Sequence, residues 1–141
     1  MNLKTIQTEA EICTCYETYH HLRPHLTEEA FVAQVLRQMQ VGFQMVVIEA
    51  DGQVVSAVGF RLLEYLAWGK IIYIDDLITH PDARGRGYGS ALLQYVKDIA
   101  LANDCDAVHL DSGYQRQHAH RLYLNEGFVL SSHHFEMKLK G

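Results

Sequence analysis

The sequence predicts a single α/β domain built on a mixed sheet packed by helices, and three observations carry that prediction. Two strand-like runs, Phe43 to Ala50 and Gln53 to Leu62, flank Asp51-Gly52, a dipeptide with strong preference for a tight hairpin turn. A third run, Lys70 to Thr79, ends before Pro81 and passes through a glycine-crowded turn into an amphipathic stretch. A short strand, Ala107 to Leu110, follows that stretch. A hairpin beside a strand–helix–strand crossover requires both antiparallel and parallel neighbours in one sheet. The length of 141 residues suits one domain, residues 1–141, large enough to bury a core.

Taken in order, Leu3 to Gln7 reads as a first strand, and Glu9 to Leu22 as a helix with Ile12, Cys15, Tyr16 and Tyr19 at helical spacing. Pro24 stops it, and Thr27 caps a second helix with acids in its first turn and Phe31, Val35, Leu36 and Met39 on its face. The hairpin follows, then a loop over Glu64 to Gly69. Ile71, Ile72, Tyr73, Ile74 and Ile78 give the next strand its β-branched and aromatic character. Beyond the turn, Ala91, Leu92, Tyr95, Val96, Ile99 and Ala100 form one helical stripe. Tyr114 to Glu126 reads as the last helix, with Phe128 to Leu130 and Phe135 to Leu139 closing the chain as strands.

Composition narrows the function. A hydrophobic share of 48% with 21% charged residues is that of a folded globular protein, and a net charge of −5 argues against binding a nucleic-acid backbone. The N-terminal stretch lacks the apolar core of a signal peptide, and no run approaches a membrane span, so a cytoplasmic protein is expected. Three cysteines, Cys13, Cys15 and Cys105, are too few for a disulfide framework and read as buried or partly buried thiols. Nine histidines invite a metal, yet His118-x-His120 face apart on a helix, His133-His134 alternate, and His20-His21 lack a local third partner. No metal site is expected.

The glycine turn is the chemically loaded segment. Arg84-Gly85-Arg86-Gly87-Tyr88-Gly89-Ser90 stands at a helix entrance, where the first amides lack partners and carry the positive end of the helix dipole. It lacks the lysine of a Walker loop and the spacing of a dinucleotide fingerprint. What remains, Arg84-x-x-Gly87-x-Gly89 after a strand and Pro81, resembles the acetyl-CoA loop of the GNAT superfamily of N-acetyltransferases. Ala119-His120-Arg121-Leu122-Tyr123-Leu124-Asn125-Glu126-Gly127-Phe128 resembles that family's later motif, Ala-x-x-Phe/Leu-Tyr-x-x-x-Gly-Phe.

The resemblance implies a GNAT-like three-layer α/β/α fold whose mixed, mostly antiparallel sheet splays between the fourth and fifth strands. The pantetheine arm of acetyl-CoA would lie in that gap along Leu77, Ile78 and Thr79, with a strand amide near Ile78 facing the oxyanion. The diphosphate would sit on Arg84 to Ser90. Arg116 stands where the family often has an asparagine touching the cofactor. The implied reaction is direct attack of a primary amine, of a small molecule or peptide, on the thioester. Tyr123 would donate to the departing thiolate. Asp75, ahead of Asp76, would accept the ammonium proton directly or through water, although the family often has glutamate there. Strand alternation sends these two aspartates to opposite faces. Arg23-Pro24-His25 and Glu64 to Trp68 match acceptor-side loops. Cys105, between Asp104 and Asp106, has surroundings that repel a thiolate and is discounted as a nucleophile. The competing class is a non-catalytic acyl-CoA sensor or partner-binding module; a homodimer is left open.

Overall fold

The computed structural model describes residues 1–140 and divides after Leu110 into two compact units. The first holds a five-stranded sheet in the order β1-β2-β3-β4-β5: Asn2–Ile6, Gln44–Ala50, Gln53–Tyr65, Gly69–Thr79 and Ala107–Leu110. The first four strands are antiparallel and β5 runs parallel to β4, giving the mixed sheet expected from the hairpin and the crossover. Helix α4 (Tyr88–Ala102) buries Leu92, Leu93, Val96 and Ala100, and it packs on β2 to β5. On the other face Ile12, Tyr19, Phe31 and Val35 close over Met45, Val47, Ala57 and Ile78. They come from α1 (Glu9–Cys13), α2 (Tyr16–His20) and α3 (Glu28–Met39). Alternate residues of β2 thus feed two cores, the reason its run from Met45 to Ile48 is apolar throughout.

The expected helix over Glu9 to Leu22 is two helices. Thr14 Oγ1 donates to the Glu11 carbonyl at 2.6 Å, while the Thr14 and Cys15 amides reach back only three residues, to Glu11 and Ile12. A hydroxyl that takes a helical carbonyl, with the turn tightened around it, ends the α-helical ladder. The Thr8 capping box fixes the start of α1, and Thr18 Oγ1, donating to the Val54 carbonyl at 2.7 Å, pins α2 to β3.

β4 outlasts its parallel neighbour. Its register with β5 ends at Ile74↔Leu110, while β4 continues to Thr79, so the sheet opens there. In the β3–β4 ladder Gly59 faces Asp76 and Phe60 faces Ile74, which leaves Asp75 as the extra residue of a β-bulge.

The second unit, from Asp111, contains α5 (Gln117–Asn125), three residues later in its start than the periodicity suggests. A turn closed by the Arg116 amide on the Gly113 carbonyl, at 3.1 Å, occupies the difference. The strands expected at Phe128 to Leu130 and Phe135 to Leu139 are not formed; residues 128–140 have no regular secondary structure. Their alternation is genuine, but a strand needs a partner ladder, and Val129, Leu130, Phe135, Met137 and Leu139 are all exposed. Cys13, expected to be at least partly covered, is also exposed.

Gly59 is the packing point on β3 opposite Asp76, beside Phe43 and Tyr19. A Cβ there would run into the Phe43 ring and stand 3.2 Å from Tyr19 Oη. Gly59→Ala should therefore lower stability by about 1–3 kcal/mol, measured by urea unfolding, because the ring must leave its rotamer or the strand must shift. An unchanged midpoint would mean that Phe43 moves freely.

Candidate active site

The bulge decides where the acidic pair points. In a regular strand Asp75 and Asp76 would alternate; with one extra residue in β4 both line a single pocket of about 420 Å³. The opposite-face expectation is corrected on that ground. The pocket is roofed by Tyr19 of α2 and by Arg23, His25 and Leu26 from the connection to α3. Phe31, Gln34, Val35 and Gln38 of α3, with Phe43, Met45 and Tyr73, complete its wall. Arg23 and His25 are thus at the pocket, as their loop suggested, whereas no residue of Glu64 to Trp68 lines it. Trp68 stacks instead on His109 at 4.3 Å between ring centroids.

Each carboxylate has its own arginine. Arg61 Nε donates to both oxygens of Asp75, at 3.1 and 2.9 Å, and its terminal nitrogen stands 2.8 Å from Oδ2. Both Arg23 contacts to the neighbouring carboxylate, at 3.1 and 2.6 Å, fall on Asp76 Oδ1. The two acids therefore differ. Asp75 is held at both oxygens, while Asp76 is held at one. Burial pushes the Asp76 carboxyl above the ordinary aspartate value, and Arg23 opposes that push without cancelling it. Arg61 also lies over the Phe43 ring, 5.5 Å from its centroid, which fixes the guanidinium from a second side.

Tyr19 was legible only as a core helix residue. Its ring is buried against Phe31, yet its hydroxyl has no hydrogen-bond partner. Burial, followed by the Asp76 and Asp75 charges, drives its pKa well above the ordinary phenol value, so it stays a neutral donor.

Past the aspartates the backbone of β4 alternates in its accessible side. Ser56 Oγ donates to the Ile78 carbonyl at 3.0 Å and the His80 amide donates to the Val55 carbonyl at 2.7 Å, so residues 78 and 80 face β3. A strand residue sends its N–H and C=O to the same side, which leaves Leu77 and Thr79 facing the side where β5 has ended. An amide near Ile78 that faces away from β3 is therefore that of Leu77 or Thr79. Thr79 Oγ1 is within 2.9 Å of Ser56 Oγ.

A single 3₁₀ turn, Pro81–Ala83, then leads into the glycine segment. Gly85 (φ 79°) and Gly87 (φ 81°) adopt the left-handed conformation, and Gly87 is the N-cap of α4. A Cβ at Gly85 would meet nothing within 4 Å, and one at Gly87 only Met1 Cε at 3.9 Å. Backbone conformation and open approach, rather than packing, thus require glycine. The amides of Tyr88, Gly89 and Ser90 open the helix, and Arg84 and Arg86 are exposed beside them.

In the second unit Tyr123 is buried and meets Phe128 edge-on, 5.9 Å between centroids. Burial raises its phenol above the ordinary value, with Arg116, at the N-cap of α5, pulling the other way. Among the thiols, burial pushes Cys15 up to about 11, which makes it inert.

Residues 7–128 match the family model for the Acetyltransferase (GNAT) family. An uncharacterized N-acetyltransferase of Bacillus subtilis, YhdJ, is 28% identical over 137 residues, 96% of either chain. An aminoalkylphosphonate N-acetyltransferase of Salmonella typhimurium is 30% identical over 90 residues, 63% of this chain and 58% of that protein. The fold is shared with an aminoglycoside N-acetyltransferase, AAC(6′)-Iy, solved in complex with CoA. That match has a TM-score of 0.85 at 13% identity and covers 99% of this chain and 95% of the other.

The raised Asp76 carboxyl has a consequence for stability. The folded chain holds this proton more tightly than the unfolded chain, so stability falls as pH rises from the ordinary value of 3.8 through the raised one. Asp76→Asn has no such proton to lose. Thermal melts of the two proteins should diverge in favour of the variant as pH rises through that window, and parallel curves would refute the burial cost.

Proposed function

Because the chain belongs to the acetyltransferase (GNAT) family, we propose that it transfers an acetyl group from acetyl-CoA to the primary amine of a small molecule or peptide by direct attack. The observation that carries the reading is the pocket walled by Asp75 and Asp76 where β4 outlasts β5. The amine would enter that pocket and the thioester would lie along the freed edge of β4. The CoA complex of a protein with the same fold supports the cofactor, and the likeness to an aminoalkylphosphonate acetyltransferase supports a small acceptor.

The nitrogen lone pair attacks the thioester carbon, the C–S bond breaks, and the ammonium proton must leave. An alkylammonium, with a pKa of about 10.4, has no lone pair, so the amine attacks from its neutral form; as the N–C bond forms the nitrogen becomes cationic and strongly acidic, and that proton passes to a carboxylate. Asp76 suits that moment better than Asp75, because its Oδ2 is outside the Arg23 contacts and its affinity for a proton is raised. Asp75, clasped by Arg61, positions the pair and supplies fixed charge. The Leu77 amide takes the developing oxyanion, where one aimed donor is worth about 10²–10³ in rate. The Tyr19 hydroxyl, buried without a partner, is the donor offered to a polar atom of the acceptor.

The later motif gives Tyr123 its role at sulfur. A phenol of pKa about 10 yields its proton to a thiolate of about 8.5 only against a gradient, roughly 2 kcal/mol, and burial steepens it. Tyr123 therefore acts through a hydrogen bond to the sulfur as charge builds there, and net protonation follows from solvent or from the released ammonium proton.

Thiol release from acetyl-CoA across a panel of primary amines tests the function: at least one amine should support turnover, and acetyl-CoA binding with no turnover on any would make the chain a sensor. With a working acceptor, Asp76→Asn should lower kcat about 10²-fold and leave acetyl-CoA affinity unchanged. A larger loss from Asp75→Asn than from Asp76→Asn would reverse the assignment. Tyr123→Phe should also cost about 10² in kcat, with partial recovery on an acyl donor bearing a more acidic thiol. A rate equal to wild type would leave Tyr123 a packing residue.

A further inference from the structure

The fold assembles a cluster that local sequence did not reveal. Glu17, in the first turn of α2, and His21, its C-cap, stand four residues apart and so share a face. His80, 63 residues from Glu17, arrives beside them at the end of β4. One ligand atom of each of the three lies within 4.8 Å of the other two. His80 Nε2 is 3.3 Å from Glu17 Oε1, which is also about the separation of two ligands each about 2.0 Å from a tetrahedral zinc ion. The His21 and His80 rings meet edge-on, centroids 4.8 Å apart.

We propose that Glu17, His21 and His80 bind one divalent ion of the zinc class, with solvent completing the shell. Two imidazoles and a carboxylate are a ligand set that zinc accepts. His80 is already held in place to ligate, because its amide is tied to the Val55 carbonyl at 2.7 Å and its side chain is mostly covered. Its Nδ1 lies 3.2 Å from the Asp82 amide and 3.8 Å from Asp82 Oδ2. In the metal-free chain Nδ1 accepts from that amide, so Nε2 carries the proton and donates to Glu17. Metal binding requires the other tautomer, releases the Nε2 proton's position to the ion, and turns Nδ1–H toward the Asp82 carboxylate, the outer partner that orients a ligating histidine. The ion would fasten α2, which carries Tyr19 of the pocket wall, to the end of β4. The expectation of no metal rested in part on His20-His21 lacking a local third partner, and the tertiary fold supplies one.

The test uses the untagged full chain stripped with EDTA and titrated with Co²⁺. One equivalent should give the intense visible bands of tetrahedral cobalt, zinc should displace it, and zinc should raise Tm. His21→Ala, at an exposed position, should remove the bands and the zinc-dependent Tm gain and weaken binding at least about tenfold. A variant carrying His133→Ala and His134→Ala should behave as wild type. Weak octahedral bands, bands that survive His21→Ala, or bands lost in the His133/His134 variant would each overturn the site.

Discussion

Two carboxylates on consecutive residues cannot look into one pocket from a regular strand, and the bulge at Asp75 removes that restriction. Without the extra residue Asp75 or Asp76 would enter the core beneath α4, where Ile74 and Leu77 pack. An unpaired charge there would cost several kcal/mol. With it, both acids lie on the side of α2 and α3, and the apolar residues on either flank keep their places. Gly59, opposite Asp76, is the complement of the bulge: its missing side chain leaves room for Phe43 and for the Tyr19 hydroxyl at the same level of the sheet.

Bringing two acids into a half-closed pocket needs counter-charge, and the chain supplies it from different distances. Arg61 sits on the adjacent strand, 14 residues from Asp75; Arg23 comes from the helix connection, 53 residues from Asp76. The difference in grip follows. An arginine on a neighbouring strand is held by the ladder and by the Phe43 ring, and its fork meets both Asp75 oxygens. An arginine on a connecting segment reaches only one oxygen of Asp76. A fixed ion pair and a carboxylate with an oxygen to spare thus stand side by side, and this asymmetry separates the two acids in chemical use.

The parts of this molecule that were legible in sequence are those encoded locally. The Asp51-Gly52 hairpin, the strand from Lys70 to Thr79, the glycine turn and the stripe of α4 all appear where periodicity and turn residues put them. Thr14 was legible in principle, since a hydroxyl that returns to a helical carbonyl is a local device. The bulge was not, because a strand's spelling does not record the count of residues on its partner. Arg61 and Arg23 were equally hidden as partners, since only the ladder and the helix connection bring them to the acids. The closing segment failed in the opposite sense: Phe135, Met137 and Leu139 alternate as a strand should, but alternation states what a segment could pair with and not that a pairing forms.

The end of β4 gathers several functional features, and its backbone is exposed there because the strand runs 11 residues while β5 offers 4. Beyond Ile74 a central strand becomes an edge on one side, and buried backbone donors on such an edge require partners. Leu77 and Thr79 have theirs to find outside the sheet, which is what a ligand lying along the strand provides. At the end of β4 the His80 amide still pairs with the Val55 carbonyl of β3, and its side chain meets Glu17 and His21 before the chain turns into the glycine segment. Freed strand edge, histidine cluster and helix entrance thus follow one another along the end of β4, while the bulge at Asp75 turns the two acids into the pocket beside them.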